Sequence, residues 1–393
     1  MSKFLIKPNL QKLFIFIVSF ALLVVVYFIF PHNSKESPAN QRPVVEKEER
    51  LPLEKALTVT DQNLVSIPVF KKVVESNSKN ISRVFFRISS GIAFKCGQFL
   101  QKCALETAGP SNLDLSAYAS ILNSYSIPMA LIYDLNIDNY KYRFETFRTT
   151  AHGNDIFKQQ DALEKTKAIF SNPEYRNAIL KDLSSKLKIL KFDKIIFGSE
   201  LNFYFYNVWG TKTRRAEIES FWSLIKQIKS ENPDLPISTS FNYEHLKYYN
   251  FWGELGVGKL VALDFVALSS YPLHPGWSLF PKFDEPLCSF NSKGLDIEKF
   301  NYYSMIRQKL FGVKSVYFID FGYPLDESQE QNRLLLIQHL KDNPAIRSVS
   351  WALTSVVSGD TPESRFHNSL SIVDEKGDLN VGGKFFFAEE KLN

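Results

Sequence analysis

Two acidic residues in this chain sit just past short apolar runs that end in small and polar residues. Glu200 lies in Ile195-Ile196-Phe197-Gly198-Ser199-Glu200-Leu201-Asn202, and Asp320 in Tyr317-Phe318-Ile319-Asp320-Phe321-Gly322-Tyr323-Pro324. A third boundary of this kind is Ala267-Leu268-Ser269-Ser270-Tyr271-Pro272, and a fourth run holds Val349-Ser350-Trp351-Ala352-Leu353. A carboxylic acid can protonate a leaving oxygen while an opposed carboxylate attacks carbon or activates water. Cleavage of a glycosidic bond needs such a pair. The chemistry therefore depends on elements that bring residues 200 and 320 to one cleft.

The hydrophobic pattern supplies such elements. From about residue 55, short β-rich runs alternate with longer amphipathic stretches, which indicates βα units and a parallel sheet. The runs are Ala56–Thr60, Ser82–Ile88, Pro128–Tyr133, Lys194–Phe197, Ile237–Phe241, Phe265–Ser269, Ser315–Ile319 and Ser348–Leu353. Between them, Asn172-Pro173-Glu174 starts one helix, Arg215–Lys229 forms another and Glu330–Leu340 a third. Eight strands, each followed by a helix, close most simply into a (β/α)8 TIM barrel of the α/β class. The rival is an open doubly wound sheet, which usually carries a Gly-rich phosphate loop after its first strand. The Gly-dense segment Gly253-Glu254-Leu255-Gly256-Val257-Gly258 does not follow an apolar strand and reads as a turn. In a barrel, reactive residues sit at the C-terminal ends of strands. The fourth and seventh runs then face each other across the mouth.

In this order and spacing the segments resemble the clan A glycoside hydrolases, a superfamily of (β/α)8 enzymes. Gly198-Ser199-Glu200-Leu201-Asn202 is similar to that family's Gly/Trp-Asn-Glu-x-Asn on strand four, and Ile319–Pro324 to its Glu-Phe-Gly-Tyr-Pro on strand seven. Tyr271-Pro272 follows strand six, Gln331 follows strand seven, Trp351 lies on strand eight, and Phe366–Gly377 is similar to a closing Gly-Leu-x-Asp-x-x-Gly stretch. The resemblance implies Glu200 as acid/base and Asp320 at the nucleophile position. It implies Tyr271 as hydrogen-bond partner of that nucleophile and Trp351 as the stacking floor of the sugar site. Arg87 could supply positive charge near the nucleophile, and Ser199 and Asn202 would line the cleft. Two positions depart from the pattern. Ser199 stands where the family has Asn, and Asp320 where it has Glu. Asp is shorter by about 1.5 Å, which moves the carboxyl gap from the retaining range of roughly 5–5.5 Å toward the inverting range of roughly 6.5–9.5 Å, or toward no catalysis. The alternative function is therefore a catalytically inactive barrel that binds glycans or scaffolds envelope proteins.

The rest of the chain sets the context. Leu13–Phe30 is an uncharged apolar run of nearly bilayer-spanning length, preceded by Lys3, Lys7 and Lys12. It ends in Tyr27-Phe28-Ile29-Phe30-Pro31 with no small-residue cleavage site, so an uncleaved anchor is expected, with the N-terminus cytoplasmic and the barrel extracytoplasmic. The expected organisation is an anchor over 1–30, a polar linker over 31–54 and a barrel over 55–393. The 47 Lys and Arg exceed the 42 Asp and Glu by little and form no basic block, which argues against a nucleic-acid partner. The expected partners are an oligo- or polysaccharide and, through Leu13–Phe30, a lipid bilayer. Cys96 and Cys103 lie close together in one predicted loop and could pair outside the cytoplasm, leaving Cys288 free. No spacing matches a zinc site, and no cofactor is expected. Phe203-Tyr204-Phe205-Tyr206 reads equally as a sugar platform or as loop packing.

Overall fold

The computed structural model describes residues 53–61, 65–96, 103–107, 115–137, 169–207, 211–249, 252–256, 260, 262–271, 306, 315–322, 340, 343–353, 371–374 and 376–387. Its strands are β1 (Glu54–Thr60), β2 (Arg83–Cys96), β3 (Cys103–Thr107), β4 (Met129–Ile137), β5 (Lys194–Phe197), β6 (Ile237–Ser238), β7 (Ser240–Asn242), β8 (Val266–Ser270), β9 (Val316–Phe321) and β10 (Ile346–Leu353). They pair in the order β6-β5-β4-β2-β1-β10-β9-β8-β7, with β3 beside β2. The two ends of that path, β6 and β7, are halves of one strand broken at Thr239. The sheet therefore closes on itself as eight parallel staves, the (β/α)8 barrel that the periodicity predicts. Each of the eight predicted runs coincides with one stave.

Both faces of these strands are buried, which is why they read as nearly continuous apolar runs. Ala56, Phe85, Ala130, Ile132, Ile196, Phe265, Ala267, Tyr317 and Ile319 fill the barrel interior. Their sequence neighbours, such as Leu57, Val84, Phe86, Leu131 and Phe318, join the outer layer under the helices. Helix α1 (Ile67–Asn77) buries Phe70, Val73 and Val74. Helix α2 is Leu115–Ser124. Helix α3 (Pro173–Leu187) begins at Asn172, whose side chain accepts from the Glu174 and Tyr175 amides at 2.9 and 3.4 Å. Helices α4 (Leu201–Asn207) and α5 (Thr211–Glu231) follow β5. On α5, Ile218, Phe221, Trp222, Leu224, Ile225 and Ile228 are buried at helical spacing. Each such side chain stabilises the fold by about 1.5–3 kcal/mol through burial. The remaining described helices are α6 (Tyr243–Tyr249), α7 (Trp252–Leu255) and α8 (Val381–Phe387).

An ion-pair network closes the N-terminal mouth. Arg83 meets Asp193 at 2.7 Å and Glu54 at 3.0 Å, and Arg347 reaches Glu54 at 3.3 Å. Charge at this face serves packing rather than chemistry, because barrel active sites open at the other end.

Two expectations change here. Cys96 and Cys103 do not sit in a loop. They end and begin the antiparallel β2–β3 hairpin and are partners in its register. The stretch similar to the closing motif is also structural in character. Asp374 Oδ1 accepts from the amides of Lys376 and Asp378, each at 2.9 Å, and Gly377 takes a φ of +77° in the turn. Asn380 then caps α8 by accepting from the Gly383 amide at 2.8 Å. Among the described residues no helix is long and apolar enough to cross a membrane. The expected anchor Leu13–Phe30, the linker through Pro52, Cys288 and all of the predicted helix Glu330–Leu340 except Leu340 lie outside the described residues.

Candidate active site

Glu200 and Asp320 both reach the C-terminal mouth, and local backbone departures aim each of them. Strand β5 ends at Phe197, and Gly198 turns the chain with a φ of +83°. A side chain at Gly198 would meet Leu201 at 2.7 Å, so glycine is required by space as well as by φ. Glu200 has a φ of +51°, left-handed for a non-glycine residue. Such a conformation costs on the order of 1–3 kcal/mol and recurs where a site over-determines the backbone. On β9, Ser269 pairs with Asp320 but Leu268 pairs with Phe318, so β9 carries one extra residue at this point. The same excess shows against β10, between the Val349–Phe318 and Trp351–Phe321 pairs. The bulge lets Asp320 face inward although Ile319 beside it also faces inward.

Arg87, from β2, crosses the barrel to Asp320, with Nη2 to Oδ2 at 2.7 Å and side-chain exposures of 14% and 5%. Burial disfavours the guanidinium charge. The facing Asp320, Asp134, Tyr271 and Glu200 outweigh that and hold Arg87 above its ordinary value. Tyr271 hydrogen-bonds Asp320; burial and that carboxylate push its phenol well above the usual range, so it stays a donor. Asp134, buried at the end of β4, is a carboxylate that motif reasoning missed.

Glu200 has different company. Its Oε1 accepts from Ser269 Oγ at 2.6 Å and from Asn242 Nδ2 at 3.2 Å. Ser269 is also the register partner of Asp320. Ser269 therefore lies between the two carboxylates, hydrogen-bonded to Glu200 and beside Asp320 on the neighbouring strand. Neither Ser269 nor Asn242 was legible from motifs. A signal for Asn242 existed: an Asn directly after an apolar run and before Tyr243-Glu244 is a helix N-cap. Its Oδ1 does cap α6, accepting from the His245 amide at 2.9 Å.

The other expected site residues fall elsewhere. Asn202 is buried and spent inside the protein. Its Oδ1 accepts from the Asn242 amide at 2.7 Å, and its Nδ2 reaches the Asn242 carbonyl at 3.1 Å and His245 Nδ1 at 2.9 Å. Burial pushes His245 down to about 3, against the pull of Glu200, so its ring is neutral. Ser199 is 1% exposed and offers the cleft almost no surface. Trp351 does not floor the mouth. It is the register partner of Leu57, an outer-layer residue, and packs on Phe321 and on Phe386 of α8 at 5.2 and 5.4 Å. The inward positions of β10 are Ser348, Ser350 and Ala352, which alternate with it; Ser350 meets Thr58 at 2.6 Å. In the aromatic run after Glu200, Tyr204 and Phe205 are packing, buried against Phe170 and each other. Among the described residues no group of His, Cys, Asp and Glu is placed to hold a metal ion.

No protein-family profile and no curated protein matches the chain. Solved structures do. The chain is similar to the β-galactosidase of the psychrophilic Marinomonas ef1, at 9% identity over 85% of this chain and 58% of that one, with a TM-score of 0.52. It is similar to the polyextremophilic β-galactosidase of the Antarctic haloarchaeon Halorubrum lacusprofundi, at 9% identity over 85% and 57%, with a TM-score of 0.51. A psychrophilic family 10 endo-β-1,4-xylanase matches at 10% identity over 86% and 97%, with a TM-score of 0.50. The chain spans a little over half the length of the two galactosidases. At these identities the likeness establishes the fold, a glycosidase-like (β/α)8 barrel.

Proposed function

We propose that this barrel is a glycoside hydrolase or transglycosylase, with Glu200 as acid/base and Asp320 as nucleophile or base. The observation that carries the reading is the asymmetric setting of two carboxylates on either side of Ser269. Asp320 is ion-paired to Arg87 and takes a hydrogen bond from Tyr271, which suits a group that must stay ionised. Glu200 Oε1 accepts from Ser269 and Asn242, donors that carry no fixed charge, unlike the Arg87 guanidinium that pairs with Asp320. Glu200 protonates the glycosidic oxygen as the bond to the anomeric carbon breaks, and the leaving sugar departs as an alcohol. Asp320 attacks that carbon, or takes a proton from water that does. In the first case water, or a sugar hydroxyl in transglycosylation, later displaces Asp320 and returns its proton to Glu200.

Leu13–Phe30 anchors the barrel on the extracytoplasmic face of a membrane in this reading, and the substrate is a polysaccharide there. The test is turnover of a panel of aryl glycosides and cell-envelope polysaccharides by the purified chain. Glu200→Gln and Asp320→Asn should each lower turnover by at least about a hundredfold. The anomer first released, read by NMR, decides between the retaining and inverting routes. Binding of sugar without any turnover supports the second reading, a glycan-binding barrel. That reading draws on the Arg87–Asp320 pair, which ties Oδ2 of the carboxylate to a cation inside the protein.

A further inference from the structure

The hydrogen bonds behind Glu200 run in one direction only, and two backbone amides fix that direction. The His245 amide can only donate, so the Asn242 side chain must turn its oxygen toward it, at 2.9 Å. Asn242 Nδ2 is then left to face Glu200 Oε1 at 3.2 Å and Ser269 Oγ at 3.4 Å. Ser269, accepting from Asn242, directs its own proton to Glu200 Oε1 at 2.6 Å. The Asn242 amide likewise fixes Asn202, whose oxygen accepts it at 2.7 Å. Asn202 Nδ2 must then donate to His245 Nδ1, at 2.9 Å, so the His245 ring carries its proton on Nε2. Every orientation is set by a group that cannot reverse.

We infer that Ser269 and Asn242 are positioning residues that set the proton affinity of Glu200, and that Asn202 and His245 hold Asn242 in the donating orientation. This rests on Glu200 as the acid. Two donors on one oxygen favour the ionised carboxylate. They also commit Oε1 to accepting. Among the described residues, the other charged or titratable groups facing Glu200 are Arg87 on β2, Tyr271 after β8 and His245 on α6, with Asp320 on β9 and Asp134 on β4 facing the same Arg87. Those groups are left in place by substitutions at 242 and 269.

Asn242→Ser separates the two roles. Ser caps a helix about as well as Asn does, so the His245 amide keeps a partner, while the amide donor to Glu200 is lost and no charge is added. Ser269→Ala removes the other donor with little change in volume. The full chain is labelled with carboxyl-13C glutamate, the Glu200 signal is identified by its loss in Glu200→Gln, and its titration is followed by NMR. The Glu200 midpoint should rise by roughly one pH unit in Ser269→Ala and should rise as well in Asn242→Ser. The basic limb of kcat/KM against pH should move upward by the same amount. A merely structural role would lower activity and leave both midpoints in place, and that result overturns the inference. Shifted titration in a chain with no turnover sustains the positioning role and sinks the hydrolase reading. Turnover with unmoved midpoints does the reverse.

Discussion

Arg87 is the one cation that the described residues place among Asp320, Asp134 and Glu200, so its removal is the most exacting test of the site. In Arg87→Met the methionine fills much of the same space and carries no charge. Asp320, 5% exposed at its side chain, then loses its 2.7 Å partner. Breaking a buried pair from one side costs about 3–5 kcal/mol. A Coulomb estimate for charges about 4 Å apart at an effective dielectric of 20 gives about 4 kcal/mol, which agrees. For a barrel of roughly 340 residues the unfolding entropy is about 0.7 kcal/mol/K, so Tm should fall by about 4–7 °C at neutral pH. The double variant Arg87→Met/Asp320→Leu removes both charges and should recover most of the loss, because apolar replacement of a whole buried pair is often neutral. Scanning calorimetry of the wild type, both single variants and the double variant closes the cycle. A single variant within about 1 °C of wild type would refute the reasoning. So would a double variant no more stable than Arg87→Met.

Acid stability follows from His245. Its folded value, about 3, lies below the unfolded value near 6.5, so the unfolded chain takes up the proton first as pH falls. Stability from this group is intact above about pH 6.5 and is lost toward pH 3 at up to about 1.4 kcal/mol per pH unit. His245→Gln keeps an acceptor for Asn202 and should flatten Tm against pH between about 6.5 and 5. Glu217, raised by burial, has the opposite sign: it favours the folded state as pH falls. Trp351→Ala should lower stability by about 3–5 kcal/mol while leaving KM for sugar unchanged; a raised KM with an unchanged Tm would return Trp351 to the cleft. Register partners in an antiparallel pair have Cα atoms about 4.5–5.5 Å apart, within disulfide reach. Air-oxidised protein digested without reductant should therefore yield a peptide linking Cys96 to Cys103; separate alkylated peptides would exclude it.

The barrel was legible because its strands are buried on both faces and its helices on one. Apolar runs such as Ile195–Phe197 and the helical spacing from Ile218 to Ile228 are direct images of that burial. Glu200 was legible for a related reason, since a polar residue just past a buried strand has nowhere to go but the mouth, whereas Asp320, inside β9, was marked by its motif alone. The supports of the pair were not. Ser269, Asn242, Asn202 and His245 act through contacts between β5, β7, β8, α4 and α6, and a long-range hydrogen bond leaves no periodic trace in the chain. The hairpin of β2 and β3 was missed because its segment joins no apolar alternation strong enough to mark a strand, so proximity of the cysteines suggested a loop.

Asp320 and Trp351 show where motif and geometry part company. Both were placed at the mouth by resemblance, and both lie on strands whose inward positions alternate. On β9, Tyr317 and Ile319 face inward, so alternation alone would send Asp320 outward to the helices. The extra residue in β9 resets the phase and brings Asp320 to Arg87. On β10, the register against β1 runs unbroken from Ser348 to Leu353. Nothing resets its phase there, so Trp351 stays outside with Phe386 and the mouth receives Ala352. A bulge is one residue of slack and cannot be read from a run of apolar letters, yet it decides which of two equally plausible side chains meets the substrate. The chain has kept that device at its carboxylate and not at its tryptophan. Under the proposed function, the acidic pair works in a cleft without the Trp351 floor, and sugar is held by other groups around the mouth.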